Sequence, residues 1–171
     1  MKNHMIDYKS AFGLPDSLVK HALPNATAYG HDPKVAPLYY CYVFYNPLTE
    51  KEFSEFIETC GFNLTNPLIS FYRGCNGLRV NQRLSIYGSL LHRGLQPISL
   101  DYANFNERPM GLPDSSTVIG GLTLSYDTNG YLVSHEDGTV TCSSSFLKYD
   151  VINKWENIEA LIKEEIAKSI N

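Results

Sequence analysis

Histidine and cysteine are the side chains with which this sequence could hold a metal ion, and both are spread widely along the chain. They are His4, His21, His31, His92, His135, Cys41, Cys60, Cys75 and Cys142. A zinc site usually has closely spaced ligands, as in CxxC, HxH or HExxH, and none of these motifs occurs. We therefore predict no metal ion and no other cofactor, and we interpret the cysteines as free, buried thiols.

Acid and base chemistry could be carried out by His135, Glu136 and Asp137, but three polar residues before Gly138 are also what a hairpin turn requires. We favour the turn. The segment "YGSLLHRG", residues 87–94, resembles the GxSxG serine motif only superficially, because its second glycine is displaced. Neither phosphate-binding glycine motif is present. None of these patterns supports a catalytic site, although an enzyme or small-ligand receptor whose site assembles only on folding stays open as an alternative.

The composition is typical of a single domain. The chain has 171 residues, 43% of them hydrophobic, with 12 Tyr, 8 Phe and a net charge of -4. Because this charge is small and evenly spread, no basic face for nucleic acid is predicted. No apolar run approaches 18 residues, and the first residues are polar where a secretion signal would be apolar, so we expect no membrane span and a cytoplasmic location.

The clearest helix is predicted over residues 47–61. Its apolar residues follow the spacing i, i+3, i+4, i+7 that lines one buried face, and they are Phe53, Phe56, Ile57 and Cys60. Thr49 and Glu52 have the spacing of a capping box, and Gly61 is predicted to end the helix in a left-handed conformation.

A second helix is predicted to begin near Asn66, since Pro67 is tolerated at the first helical position. It should end at Asn76 and Gly77, where glycine can adopt the positive φ of a cap.

Residues 1–36 are interpreted as an N-terminal arm, with one short helix between Pro15 and Pro24. The run "PLYYCYVFY", residues 37–45, is predicted to be a buried strand and to begin the main domain, residues 37–171.

The second half of the chain has mainly strand character. Strands are predicted at residues 83–88, 97–102, 116–127, 131–135 and 139–146, the last three forming an antiparallel meander. Residues 101–114 are predicted to be a long irregular loop, and Gly120-Gly121 a bulge or a close approach of two backbones. The chain should close with a helix that carries Trp155 on its buried face, and we count one α+β domain.

The order of these segments resembles the SMI1/KNR4 family, also called the SUKH superfamily. The likeness covers about Pro47 to Ile166 and rests on "TEKEFSEFIETCG", "NPLISFYRGCNGL", "STVIG", "LSYDTNGYLVSHEDGTV" and "WENIEALIKEEI". The chain departs from the family pattern where Leu64 and Pro67 are separated, where Leu78 follows Asn-Gly, and over its first 45 residues.

The resemblance implies a compact α+β domain with helices packed on a mainly antiparallel sheet, which binds proteins and is not an enzyme. Many bacterial members look like immunity proteins that bind and block a cognate toxin. The alternative that the family offers is a regulatory or scaffolding module of the cell-wall synthesis type without a toxin partner.

A partner surface needs exposed aromatic and arginine anchors, and the predicted loop 101–114 contains several. The candidate partner-binding residues are Tyr102, Asn104, Phe105, Asn106 and Arg108, together with Arg73 and Arg79 near the end of the second helix. The alternative is that Tyr102 and Phe105 only attach this loop to the core.

Overall fold

The computed structural model describes residues 6–31, 40–62, 64–90 and 96–170, and within these ranges the chain has an α+β fold of five helices and nine strands. In chain order the elements are α1 (Tyr8–Phe12), β1 (Val19–Leu23), β2 (Ala26–Gly30), β3 (Tyr40–Tyr45), α2 (Glu50–Thr59), α3 (Asn66–Gly74), β4 (Leu78–Val80), β5 (Leu84–Ile86), α4 (Leu100–Asn106), β6 (Thr117–Ser125), β7 (Thr128–Ser134), β8 (Val140–Ser143), β9 (Val151–Trp155) and α5 (Ile158–Ile170). The strands form one sheet in which each pairs antiparallel with the next, so their spatial order is their order in the sequence.

One face of the sheet, which we call the core face, carries most of the buried apolar side chains of the strands. The pairing of the strands puts these side chains on the same face of the sheet. They include Phe44, Leu78, Ile86, Leu122, Leu132 and Val140, all buried. Residues of α1, α3 and α5 belong to the same buried cluster. The ring of Tyr8 stacks on Phe44 with centroids 4.5 Å apart. The hydroxyls of Tyr42 and Ser169 are 2.7 Å apart and join β3 to α5.

The predicted helix at residues 47–61 is confirmed as α2, and so is its capping box. The hydroxyl of Thr49 accepts the amide of Glu52, and the Glu52 carboxylate accepts the amide of Thr49. This hydrogen bonding lowers the pKa of Glu52. The predicted end at Gly61 is wrong, because the helix stops at Thr59 and Cys60 is extended.

The second predicted helix is confirmed as α3, with Pro67 in its first turn, but its end differs from the prediction. The helix stops at Gly74, and Cys75 is extended. Gly77 has the expected positive φ of 94°, although a Cβ there would also lie 2.7 Å from the carbonyl oxygen of Ile86. Asn76 is fully buried and clamps the chain after β5, since its side chain accepts the amide of Ser89 and donates to the Ser89 carbonyl.

The helix predicted between Pro15 and Pro24 is wrong, because Val19–Leu23 forms β1. Pro24 and Asn25 make a two-residue turn, with Asn25 at a φ of 60°, so that Leu23 pairs with Ala26. Cross-strand pairing therefore outweighs the helical spacing of Leu18, Val19 and Ala22.

Residues 8–12 form α1 instead. The predicted boundary at residues 36 and 37, and residues 37–39 of the predicted strand, lie outside the described residues. Residues 40–45 of that strand are confirmed as β3, which pairs with β2 of the predicted arm.

The strand predicted at 97–102 and the irregular loop predicted at 101–114 are both wrong in part, because Leu100–Asn106 forms α4. Ser99 is its N-cap, and its hydroxyl accepts the amide of Tyr102 at 3.1 Å. A serine cap followed by Asp101 in the first turn is a helix start, and the strand interpretation missed it.

The predicted terminal helix is confirmed as α5, but Trp155 precedes it at the end of β9. The side chain of Asn157 accepts the amide of Ala160 at 2.9 Å, and this cap sets the start of the helix after Trp155. Trp155 is nevertheless buried, as predicted. The three-residue strand β4 was not predicted.

Of the two alternatives predicted for Gly120-Gly121, the close approach of two backbones is found at Gly120, while the bulge of β6 lies just before it, between Val118 and Gly120. A Cβ on Gly120 would lie 2.2 Å from the carbonyl oxygen of Ser85, so the neighbouring strand β5 can approach only a glycine here.

Truncation of Trp155 should strongly destabilise the protein. The side chain is 5% exposed, and its indole N–H donates to the Glu164 carboxylate at 2.9 Å. We expect Trp155→Ala to lower the free energy of unfolding by about 3 to 5 kcal/mol in a urea titration. Trp155→Phe, which keeps an aromatic ring, should cost less than half of that amount; equal losses would contradict a packing role.

Candidate functional site

Two faces of α4 have different roles. Leu100, Ala103 and Asn104 point into the protein and are buried, in the spacing i, i+3, i+4. The opposite face carries Tyr102, Phe105 and Asn106, also in that spacing and all exposed. Tyr102 is 55% exposed and Phe105 is 71% exposed. We call these three residues the α4 surface.

The predicted partner residue Asn104 does not belong to this surface. Its amide donates to the carbonyls of Leu100 (3.0 Å) and Val118 (2.8 Å), and its oxygen accepts the amide of Val118 (2.9 Å). The side chain therefore fastens α4 to β6, and its assignment to the partner surface is corrected.

Arg108 also holds structure together. Its guanidinium donates to the carbonyls of Ser116 at 2.8 Å and Pro113 at 2.5 Å. These bonds close the segment between α4 and β6 and use part of the guanidinium's five N–H donors. Arg108 therefore has a structural role and is only partly exposed.

The structure places Arg73 and Arg79 on other elements. The guanidinium carbon of Arg73 lies 5.4 Å from the ring centroid of Phe53, so this side chain covers α2. Arg79 lies on β4 and shares a face of the sheet with Ser85. Neither arginine is part of the α4 surface as defined by its three residues, although both are exposed.

A polar groove lies on the sheet face opposite the core face. Its volume is about 310 Å³, and its lining residues on the strands or beside them include Arg83, Ser85, Gly121, Thr123, Asn129 and Tyr131. Ser85, Gly121 and Tyr131 form one cross-strand row over β5, β6 and β7. Tyr87, Ile98 and Glu107 complete the lining. We call this cavity the sheet groove.

Tyr87 is the most buried phenol of the sheet groove. It is only 8% exposed, and its hydroxyl lies 3.1 Å from where a Cβ on Gly121 would be. Burial, together with the nearby Glu107 and Tyr131, raises the pKa of Tyr87 to about 12. The phenol is therefore protonated at neutral pH, and no hydrogen-bond partner of its hydroxyl is found among the described residues.

A second cavity, of about 560 Å³, lies among α1, α3 and α5. Its lining is mainly apolar, and its polar groups are partly used within the fold. The Tyr8 hydroxyl donates to the Gly74 carbonyl at 2.8 Å, and the Cys75 thiol donates to the Gly77 carbonyl at 3.0 Å. Burial raises the pKa of the Cys75 thiol to about 12, so it is not a reactive thiolate.

His135 is the centre of a network of hydroxyl groups. Ser116 Oγ lies 3.0 Å from Nδ1, while Thr141 Oγ1 and Tyr149 Oη lie 2.8 Å and 3.0 Å from Nε2. A serine beside a histidine is the geometry of an activated nucleophile. Ser116 is only 2% exposed, however, and the second ring nitrogen faces hydroxyls rather than a carboxylate. This network therefore stabilises the fold.

The turn predicted after His135 is confirmed. Gly138 has a φ of 85°, and Asp137 accepts the amide and the hydroxyl of Thr139. Among the residues that the structure describes, no group of three or more His, Cys, Asp or Glu side chains is placed to hold a metal ion. His4, His92 and residues 91–94 of the serine-like segment lie outside that part of the chain.

The sequence prediction missed the sheet groove. Tyr87, Glu107 and Tyr131 converge only through the register of β5 to β7 and the position of α4, and neither is visible in local spacing. The one local signal was Gly120-Gly121, which predicted a close backbone approach at this place.

Comparison of the chain with protein-family models, curated proteins and solved structures found no match. Within the described ranges, no helix has both the length and the apolar character that crossing a bilayer requires.

Asn104 and Asn106 form a matched pair that tests the division of α4 into two faces. Asn104→Ala leaves the amide and carbonyl of Val118 without these partners, so we expect a loss of about 1 to 3 kcal/mol in unfolding free energy. Asn106→Ala removes only a local bond to the Tyr102 carbonyl and should change stability by at most about 0.5 kcal/mol. Equal effects in a urea titration would refute the assignment.

His135 should make stability depend on pH. Burial lowers its pKa below the usual value of 6.5, an effect that Asp137 opposes and Lys154 supports. In the unfolded chain His135 therefore takes up a proton at a higher pH than in the folded protein. The stability that the neutral His135 contributes to the folded protein is lost as the pH falls below about 6.5. Between pH 7 and 5, thermal unfolding should show a smaller loss of stability in His135→Gln than in the parent chain.

Proposed function

We propose that this chain is a protein-binding domain and that the α4 surface is its anchor for the partner. The observation that carries this proposal is the exposure of two large aromatic side chains, Tyr102 and Phe105, on one face of a helix whose other face is buried. Exposed aromatic side chains are favoured anchors in protein interfaces, since each buries a large area when covered.

The α4 surface is held in place before any partner arrives. The Ser99 cap secures the start of the helix, and Asn104 joins its middle to β6 by two bonds to Val118. Arg108 holds the segment that follows. Binding then requires little ordering of the backbone, and ordering is one of the main costs of association.

The α4 surface extends toward the end of α2. A Cβ on Gly61 would lie 3.0 Å from the tip of the Phe105 ring, so the ring rests beside this glycine while most of it stays exposed. A standard interface covers roughly 800 Å² on each partner, which is more than one short helix supplies. The neighbouring residues of α2 and the segment after α4 would form its rim.

We further propose that the partner is a toxin which this chain neutralises by covering it. Support for this finer proposal comes from the resemblance of residues 47–166 to the SMI1/KNR4 family, whose bacterial members look like immunity proteins. Neutralisation of this kind needs a tight complex rather than a reaction, and the α4 surface offers anchors that suit such a complex. A regulatory or scaffolding role would use the same kind of surface without a toxin.

The test is co-expression of the chain with the protein encoded beside it, followed by titration of the purified pair. Tyr102→Ala combined with Phe105→Ala should raise the Kd about 100-fold or more, equivalent to about 2.8 kcal/mol, because two anchors are removed. Tyr126→Ala is the matched control, since Tyr126 lies fully exposed at the turn between β6 and β7. Asn104 and Arg108 stay unchanged so that α4 keeps its position.

The results of this test distinguish the α4 surface as the anchor from a toxin as the partner. An unchanged Kd in the double variant would contradict the α4 surface as the anchor. A neighbouring product that binds the chain without being toxic to cells would favour the regulatory module over the immunity protein. A toxic product that does not bind would contradict toxin neutralisation.

A further inference from the structure

The sheet groove has a direction, with different groups at its two ends. Gln82, Arg83, Thr123 and Asn129 line one end, and Tyr87, Ile98, Glu107 and Tyr131 line the other. Arg83 and Tyr87 are four residues apart on either side of β5, which corresponds to about 13 Å along an extended strand. The length and the volume of about 310 Å³ suit a small ligand of one or two rings.

The lining of the sheet groove is mainly polar and mixes donors with acceptors. Gln82 and Asn129 contribute planar amides, Ser85, Thr123 and Tyr87 contribute hydroxyls, and Glu107 contributes a carboxylate. Tyr87 lines the cavity with its hydroxyl beside Gly121, and this hydroxyl has no hydrogen-bond partner among the described residues. This hydroxyl is therefore free to donate to, and accept from, a ligand hydroxyl in the groove.

Charged ligands fit this groove poorly. Glu107 would repel a phosphate or carboxylate, and Arg83 would repel a cation. Arg83 is moreover already engaged, since its guanidinium lies 3.4 Å from the buried carboxylate of Glu165. The described lining thus holds one carboxylate and one guanidinium that is already paired with Glu165, and it favours a ligand without net charge.

An added peptide strand also fits poorly. The groove floor is formed by β5, β6 and β7, which are interior strands whose backbone groups pair with their neighbours. Strand addition requires an open edge, and β5 to β7 offer none. The aromatic ring of Tyr131 and the side chain of Ile98 instead offer apolar area beside the polar groups.

We propose that the sheet groove binds a neutral polyhydroxylated ligand of the size of a monosaccharide or disaccharide. Such a molecule has a rim of hydroxyls, which both donate and accept, and an apolar C–H face. The amides, hydroxyls and Glu107 match the rim, while Tyr131 and Ile98 match the C–H face. This site is separate from the α4 surface, and its occupant is a small molecule rather than a protein.

The test is a titration of the full chain with maltose, cellobiose and sorbitol, followed through amide chemical shifts in NMR spectra. We expect saturable changes centred on Gly121, Thr123 and Asn129, with a Kd on the order of 1 mM for at least one of these compounds. Glucose phosphate and arginine methyl ester are the charged comparison probes, and they should bind at least about fivefold more weakly.

Tyr87→Phe is the decisive variant, because it keeps the ring and removes only the unpartnered hydroxyl. It should weaken binding of the neutral probe by about fivefold or more without lowering the melting temperature. Glu107→Gln keeps the shape of the side chain and should also weaken binding, while Tyr126→Phe, outside the groove, should leave it unchanged. The proposal is overturned if no neutral probe gives saturable shifts in the groove, if a charged probe binds more tightly, or if Tyr87→Phe binds equally well.

Discussion

The need to bury one face of a nine-stranded sheet governs the rest of this structure. All five described helices supply residues to the buried cluster, and Trp155 and Phe44 lie within it. The opposite face is covered over part of its area, since α4 packs against β6 and Val118 and Val133 of that face are buried. Its cross-strand row from Arg79 through Ser85 to Tyr131 is largely polar and is at least partly exposed.

Two buried asparagine side chains attach segments outside the regular strand pairing to this sheet. Asn76 binds both backbone groups of Ser89, and Asn104 binds both backbone groups of Val118. Each side-chain amide supplies one donor and one acceptor, and these make the two backbone hydrogen bonds that a neighbouring strand would otherwise make. The segment from Ser89 to Val118 is thereby held near both ends, and α4 lies inside it. Two asparagines that resemble turn or surface residues in the sequence are therefore structural.

Local patterns predicted α2, α3, α5, β3 and the meander β6 to β8 because periodicity and caps act within a few residues. They failed where the deciding interaction was distant. Val19 and Ala22 have helical spacing, but pairing with β2 makes them a strand. The helix α4 was missed because Tyr102 and Phe105 place apolar residues on its exposed face, which hides the usual contrast between its faces. For the same reason Asn104 and Arg108 could be assigned only after their partners in β6 and the adjoining segment were visible.

The order of the strands divides the sheet into blocks that have different connections. Strands β6 to β9 follow one another through short links, whereas α4 lies between β5 and β6, and α2 and α3 lie between β3 and β4. Neighbouring strands in one block need only short loops to close, and longer connections cost more chain entropy. The sheet groove crosses the seam between β5 and β6. Its lining is therefore drawn from two blocks that a long connection separates, so an intact groove requires both blocks to be folded and paired.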